Sequence, residues 1–365
     1  MVEIAVNGAL GRIGRSVTYE LSKMVSRSLD IVLLNDPILY TSSGINMDML
    51  LANFNGHDPI HGRFDWEVTR ANENTIKING QKVRISAERQ LSKIPLKESR
   101  VKIVEECSGF YGDDKTDKTK RLADEFFNFG IQRVIQSYPA NADATIIMGV
   151  NEIIYNPSRH RLISNASCTT KALAPLLKIM INYGVQLESL LMDTVHAATK
   201  TQDPLETLDQ ISTHKTGATR ALELVIPELK GKMGGLSFRV PTKDGSFANM
   251  YMVVSYDGEL TKDKLNDIFK RNADGRYRLG VLEQKEVSSG AHIIGRTENA
   301  LLVLDKTRVM LLHAKKDGRE LYHVTLVSGY DNERGPPTDH AKLTDFIVNW
   351  RSPNLDAKAQ KLYSP

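Results

Sequence analysis

The sequence predicts an α/β chain in two parts: a doubly wound first half, then an α+β half built on a mainly antiparallel sheet. Three observations predict it. Up to about residue 136, short apolar runs alternate with amphipathic stretches and glycine turns. Beyond Cys168, long period-two runs follow one another with little helix between them. The chain is also long enough for two interiors, with 365 residues, 41% hydrophobic and 25% charged.

The elements follow in order. The apolar run 2–6 (VEIAV) leads through a glycine turn into an amphipathic stretch from Ile13 to Val25, and Ile31–Leu34 then ends in Asn35-Asp36-Pro37. This is strand, turn, helix, strand, one βαβ unit. Further strands are expected at Thr75–Ile85, Val101–Glu105 and Val134–Gln136, with a helix over 116–129 stopped by Gly130. Helical stretches 171–182 and 217–229 precede strand-like runs at 236–240, 247–256, 300–304, 307–314 and 319–328. The final segment, TDHAKLTDFIVNW, reads as a helix capped by Thr338-Asp339.

The turn after the first run reads N-G-A-L-G-R-I-G, with Gly8, Gly11 and Gly14. Glycines between a strand and a helix let the backbone approach a pyrophosphate at the helix N-terminus. Asp36 follows Gly14 by 22 positions, at the end of the second strand. A carboxylate there accepts the ribose hydroxyls and repels a 2′-phosphate, which favours NAD over NADP. The first half is therefore expected to be a Rossmann-type NAD-binding domain.

Composition excludes other classes. The net charge of +4 is dispersed among Lys, Arg, Asp and Glu, which argues against nucleic acid as a partner. No apolar run is long enough to span a membrane, and MVEIAVNGALGRIGR lacks a secretory pattern, so a cytoplasmic location is expected. Cys107 and Cys168 form neither a disulfide framework nor a metal spacing, so no metal is expected.

Cys168 stands among small hydroxyl residues in SNASCTTKALAPLLKIM, at the threshold of an apolar helical run. A thiol needs help to ionise near neutral pH, and helix amides beyond it offer positive potential. His196, closing an apolar run in MDTVHAATKTQ, is a candidate base. Spacing alone leaves open a thiol that merely packs and an imidazole that merely bonds a carbonyl. Pro175 inside the helix breaks a local rule, as functional helices often do.

S-N-A-S-C-T-T (164–170) resembles the active-site signature of the glyceraldehyde-3-phosphate dehydrogenase family. HGRF (61–64), ECSGFYG (106–112), MGVN (148–151), TVHAATKTQ (194–202), KTGATRA (215–221), FRVPT (238–242) and YDNE (330–333) resemble it too, in the family's order and over nearly the whole chain. The resemblance implies an NAD-binding domain over 1–167 and 333–365 and a catalytic domain over 168–332. It implies that Cys168 attacks an aldehyde with His196 as base, and that inorganic phosphate cleaves the thioester. Ser167, Thr169, Thr216 and Gly217 would hold that phosphate, and Thr199 and Arg239 the phosphate of a phosphorylated aldehyde. Gly8, Gly11, Arg12, Ile13, Gly14, Asp36, Arg89, Ser108, Ser137 and Asn332 would hold NAD. Cys107 corresponds to a buried thiol. The family's role is glycolytic and its members are homo-oligomers, typically tetramers.

Four features depart from the family. The glycine loop carries an extra residue, and the segment between Thr199 and Thr216 is short and acidic. Gly335-Pro336-Pro337 lacks the aromatic residue beside the nicotinamide, and Lys171-Ala172 replaces Asn-Cys. Two alternatives therefore stand beside oxidation of glyceraldehyde 3-phosphate to 1,3-bisphosphoglycerate. One is an erythrose-4-phosphate dehydrogenase-like reaction with water as acyl acceptor. The other is a non-catalytic nucleotide-binding paralogue with a regulatory role.

Overall fold

The computed structural model describes residues 1–24, 28–110, 118–198, 211–283 and 290–350. The described residues divide into two compact units, one within 1–147, 151–167 and 333–345, the other within 148–150, 168–332 and 346–350. Among the described residues, 346–350 thus group with the second unit, whereas the sequence places 333–365 with the first.

The first unit is built on a sheet of nine described strands, in the order 144–145, 162–164, 133–136, 103–106, 2–7, 29–35, 81–86, 75–78 and 68–72. The first seven of these run parallel, and the last two join by antiparallel pairing, so that only 75–78 runs against the rest. Strand Val2–Asn7 lies between 29–35 and 103–106, where the strand order reverses. In doubly wound sheets ligands bind at the carboxyl ends of the strands flanking such a switch. One face is closed by Leu122, Ala123 and Phe126 of helix Lys118–Asn128, packed on Ala5, Leu33, Val104 and Val134.

The expected single strand 75–85 is instead a hairpin, Thr75–Ile78 paired with Gln81–Ser86. Asn79 and Gly80, at φ 50° and 84°, make its tight turn. Asn-Gly supplies the two left-handed residues of a type I′ turn, so the run folds back on itself. The final helix also differs, beginning at Gly335 and running to Val348. Thr338 is inside it, its hydroxyl donating back to the Arg334 carbonyl at 2.7 Å. Asp339 accepts from Asn165 Nδ2 at 2.8 Å rather than capping. Pro336 and Pro337 occupy the first turn, where a missing N–H breaks no helical bond, so the helix starts three residues early.

The second unit holds a mixed sheet ordered 212–215, 233–240, 186–197, 246–256, 319–330, 300–303 and 279–282, with 308–316 also paired to 319–330. Most pairs are antiparallel. Gln186–Ala197 with Met233–Val240 is parallel, because helix Ala218–Val225 lies in the connection between them. That helix ends before Pro227, short of the expected 229, and gives way to a tighter turn over Pro227–Leu229. Helix Cys168–Asn182 begins on the cysteine and is buried along most of its length, which sustains it through Pro175.

Candidate active site and cofactor cradle

In the first unit, a chain of buried polar side chains crosses three strand ends. Asn35 donates to Asn7 Oδ1 at 2.8 Å, and Asn7 donates to Glu106 Oε2 at 2.6 Å. Glu106 Oε1 accepts the Ser108 N–H at 2.8 Å. Burial pushes the Glu106 carboxyl up, against the pull of its Ser108, Asn7 and Tyr138 partners. Ser137 donates its N–H to the Glu106 carbonyl at 3.1 Å, and its side chain bonds the Cys107 thiol. Cys107 is buried, and burial and Glu105 push its thiol well up, so it is part of the core.

Gly8 sits above this row at φ 80°, where a Cβ would come within 2.6 Å of the Ser108 backbone. Gly11 caps helix Arg12–Ser22 without a side-chain hydrogen bond, so no side chain blocks the amides of Arg12, Ile13 and Gly14. Asp36 Oδ2 accepts the Leu10 N–H at 2.9 Å and Oδ1 the Ile38 N–H at 3.1 Å. The extra residue of the glycine loop is thus tied to the ribose-binding candidate. Each carboxylate oxygen keeps a lone pair for a sugar hydroxyl. Arg12 turns its guanidinium to Glu333 at 2.5 Å, which leaves its backbone amide for an anion. Arg89 is exposed, just beyond strand Gln81–Ser86. A cradle only glycine can line, bare helix amides and a carboxylate with spare acceptors fit a dinucleotide.

In the second unit, Cys168 opens its helix half-buried, after a left-handed Ala166 at φ 55°. Its Sγ lies 3.3 Å from His196 Nε2. His196 Nδ1 is 2.8 Å from the Ala197 carbonyl, which only accepts, so Nδ1 carries the proton and Nε2 offers its lone pair to the thiol. Burial raises the thiol's pKa, but His196, then Lys171 and Arg239, outweigh it and lower it to about 7. Lys171, buried in the same helix's first turn, turns a departure from the family into a further cation beside the sulfur.

Asn332, expected near the nicotinamide, donates from Nδ2 to His196 Nε2 at 3.1 Å and to Cys168 Sγ at 3.7 Å. Arg239 is the register partner of His196 and donates to the Ala197 carbonyl at 3.3 Å. Thr216 and Gly217 lie at the N-terminus of helix Ala218–Val225, just after strand 212–215, which pairs with the strand of Arg239. Thr169 is buried, its hydroxyl 3.0 Å from the Tyr330 phenol, while Ser167 remains half-buried. Thr199 lies outside the described residues. Sequence reasoning missed Tyr330, Thr194 and Ser246. Tyr330 stood inside the quoted YDNE motif, and its phenol also meets Thr194 Oγ1 at 2.8 Å. Ser246 carried no signal beyond opening a strand.

A dinucleotide cradle in one unit and an activated thiol in the other define the class, an NAD-dependent oxidoreductase. Residues 2–114 match the model of the NAD-binding domain of glyceraldehyde 3-phosphate dehydrogenase, and 167–332 match that of its C-terminal domain. The chain is 34% identical to glyceraldehyde-3-phosphate dehydrogenase 2 of Streptomyces avermitilis, over 95% of this chain and 99% of that protein. It is equally 34% identical to the Priestia megaterium glyceraldehyde-3-phosphate dehydrogenase, over 95% of this chain and 98% of that protein. The chain belongs to the glyceraldehyde-3-phosphate dehydrogenase family, and its cofactor is NAD. No helix among the described residues is long and apolar enough to cross a membrane.

Proposed function

We propose that this chain oxidises glyceraldehyde 3-phosphate and conserves the energy as an acyl phosphate, 1,3-bisphosphoglycerate. The observation that carries the reading is the 3.3 Å approach of Cys168 Sγ to His196 Nε2, with the thiol lowered to about 7. A thiol poised there is substantially ionised at neutral pH and remains a good leaving group.

In this reading the Cys168 thiolate adds to the aldehyde carbon, and the carbonyl oxygen takes a proton from the imidazolium. His196 then recovers that proton as the C–H electron pair leaves as hydride. NAD, when bound, supplies the acceptor for that hydride. The thioester left on Cys168 is attacked by a phosphate oxygen, the C–S bond breaks, and the thiolate returns. Arg239, paired in register with His196, supports recognition of the substrate phosphate, with Thr199 as its expected companion. Helix-terminal Thr216 and Gly217, with Ser167 and Thr169, are the candidate ligands of the incoming phosphate. Homo-oligomerisation belongs to the same proposal and is supported by an exposed apolar sheet face in the second unit.

NADH formation from glyceraldehyde 3-phosphate, with and without phosphate or arsenate, tests the reading. Turnover is expected to require both the anion and Cys168, and Cys168→Ser is expected to abolish it. Undiminished turnover in Cys168→Ser removes the mechanism. Anion-independent turnover on erythrose 4-phosphate would instead favour water as acyl acceptor.

A further inference from the structure

One hydroxyl outside the signature motifs bonds the Asn332 amide that meets the reactive pair. Ser246, buried at the start of strand Ser246–Tyr256, accepts the Ala197 N–H at 3.0 Å and donates to Asn332 Oδ1 at 2.9 Å. With Oδ1 engaged, Nδ2 turns toward His196 Nε2 and Cys168 Sγ, at 3.1 and 3.7 Å. The Asn332 backbone is fixed too. Asp244 Oδ1 accepts its N–H at 3.0 Å and that of Gly245 at 2.7 Å.

We infer that Ser246 is a positioning residue for the Cys168–His196 pair, holding the Asn332 amide with its N–H face toward the sulfur. The inference rests on the reading of Cys168 as nucleophile. An amide has a donor end and an acceptor end, and the two do opposite things here. While the pair is neutral, the thiol and the Asn332 N–H share the single lone pair of Nε2. Once the proton has moved, the imidazolium N–H points at the thiolate. The Asn332 N–H can then serve the sulfur, which lies within reach of a sulfur hydrogen bond. A reversed amide would take the Asn332 N–H from the thiolate and set Oδ1 against it. Both changes favour the uncharged thiol.

The ionisable groups facing the sulfur come from four elements. They are His196, Lys171 on the cysteine's own helix, Arg239 on the strand beside His196, and the Tyr330 phenol. Of these, the Tyr330 phenol also bonds the Ser246 hydroxyl, and Ser246 itself carries no charge, so removing its hydroxyl perturbs the amide without deleting a charge.

The test is the pH dependence of iodoacetamide labelling at Cys168, without cofactor or substrate. It compares wild type, Ser246→Ala, Ser246→Thr, Asn332→Ala and the Ser246→Ala/Asn332→Ala double variant. The wild-type midpoint is expected near 7. Ser246→Ala is expected to raise it by about one unit, which slows labelling at pH 6 about tenfold. Ser246→Thr is expected to keep the wild-type midpoint, and Ser246→Ala to add nothing in the Asn332→Ala background. An unmoved midpoint in Ser246→Ala, or two single effects that simply add, overturns the inference. The Asn332→Ala arm decides the matter even if Ser246→Thr does not fold. A wild-type midpoint at about 8.5, that of a free thiol, would instead sink the nucleophile reading.

Discussion

His196 and Arg239 are register partners across the parallel ladder between strands Gln186–Ala197 and Met233–Val240. Partnered residues of neighbouring strands present their side chains on one face, so imidazole and guanidinium share a surface. The guanidinium donates to the Ala197 carbonyl, the same oxygen that fixes the His196 tautomer. Arg239→Leu is therefore expected to raise KM for the phosphorylated aldehyde about a hundredfold, as befits loss of a charge-assisted phosphate contact. The midpoint of Cys168 alkylation should also rise, since Arg239 is one of the cations lowering it. Arg239→Lys should restore the midpoint better than KM, because Lys keeps the charge but not the bidentate fork. Steady-state kinetics with a non-phosphorylated aldehyde as control separate the two effects.

The low thiol pKa predicts a pH profile whose sign follows from the group. A thiol gains charge on losing its proton, so a lowered pKa means that the reactive anion accumulates as pH rises through about 7. A free thiol would instead require pH of about 8.5. His196→Asn removes the largest favourable contribution, so its midpoint should rise and labelling at pH 7 should slow about tenfold. Cys107, buried and pushed in the opposite direction, should stay unlabelled in the native protein. Mass spectrometry after timed iodoacetamide exposure reads both cysteines at once.

These features were unequally legible in the sequence. The glycine loop, Asp36 and Cys168 were readable because each belongs to a local pattern with a mechanical reason. His196 was visible only as a candidate, since no spacing rule brings residues 168 and 196 together. It takes the ladder 186–197 and the start of helix Cys168–Asn182 to set them 3.3 Å apart. The hairpin at Asn79-Gly80 was concealed by β-rich residues on both sides of it, although its turn dipeptide was present. The helix start at Gly335 was misread because a good cap sequence, Thr338-Asp339, lay one turn inside it. Tertiary contacts to Asn165 claimed Asp339 instead. Ser246 had no sequence signal, because its role depends on three strand ends meeting.

The cradle around Gly8 makes a separate prediction about the first unit. Its φ of 80° disfavours any side chain, and a Cβ would press on the Ser108 backbone at 2.6 Å, where nothing flexible can yield. Gly8→Ala is expected to destabilise the protein by about 2–3 kcal/mol and to abolish the thermal shift produced by NAD. Gly11 has ordinary φ, and a Cβ there would meet only the Gly8 carbonyl oxygen at 3.4 Å. Gly11→Ala should therefore fold nearly as well while binding NAD less tightly. Calorimetric melts with and without NAD decide between these outcomes.

Glu105 and His340 form a fully buried contact in the first unit, Oε2 to Nε2 at 2.6 Å, with Thr344 donating to Oε1 at 3.0 Å. The pair ties strand Ile103–Glu106 to helix Gly335–Val348. Truncating one partner strands the other in the interior, which typically costs about 3–5 kcal/mol, whereas replacing both with apolar residues relieves that penalty. His340→Ala should lower the urea midpoint more than the double variant Glu105→Leu/His340→Leu does. A single variant as stable as wild type would show that the contact contributes nothing.

The outer face of the second unit's sheet predicts self-association. Along strand Gln186–Ala197, Leu190, Met192 and Thr194 point inward, so Leu191 and Val195 point out. Leu191 pairs in register with Tyr251, and Leu236 pairs with Asp193 on the same face. Leu191 is 66% exposed, Tyr251 48% and Leu236 46%, and on strand Arg308–Lys316 Met310, reached through its partners His323 and Val253, is exposed on the same face. Large apolar side chains grouped on one sheet face are a surface that another protein surface is expected to cover. A second copy of this chain could bury it isologously, each Leu191–Tyr251 row meeting its symmetry mate. Leu191→Glu with Tyr251→Glu places four like charges across such an interface. Light scattering should then show the assembly falling to smaller species at micromolar concentration, with the Cys168 labelling midpoint unchanged. An unchanged mass for the double variant would place the contact on another surface.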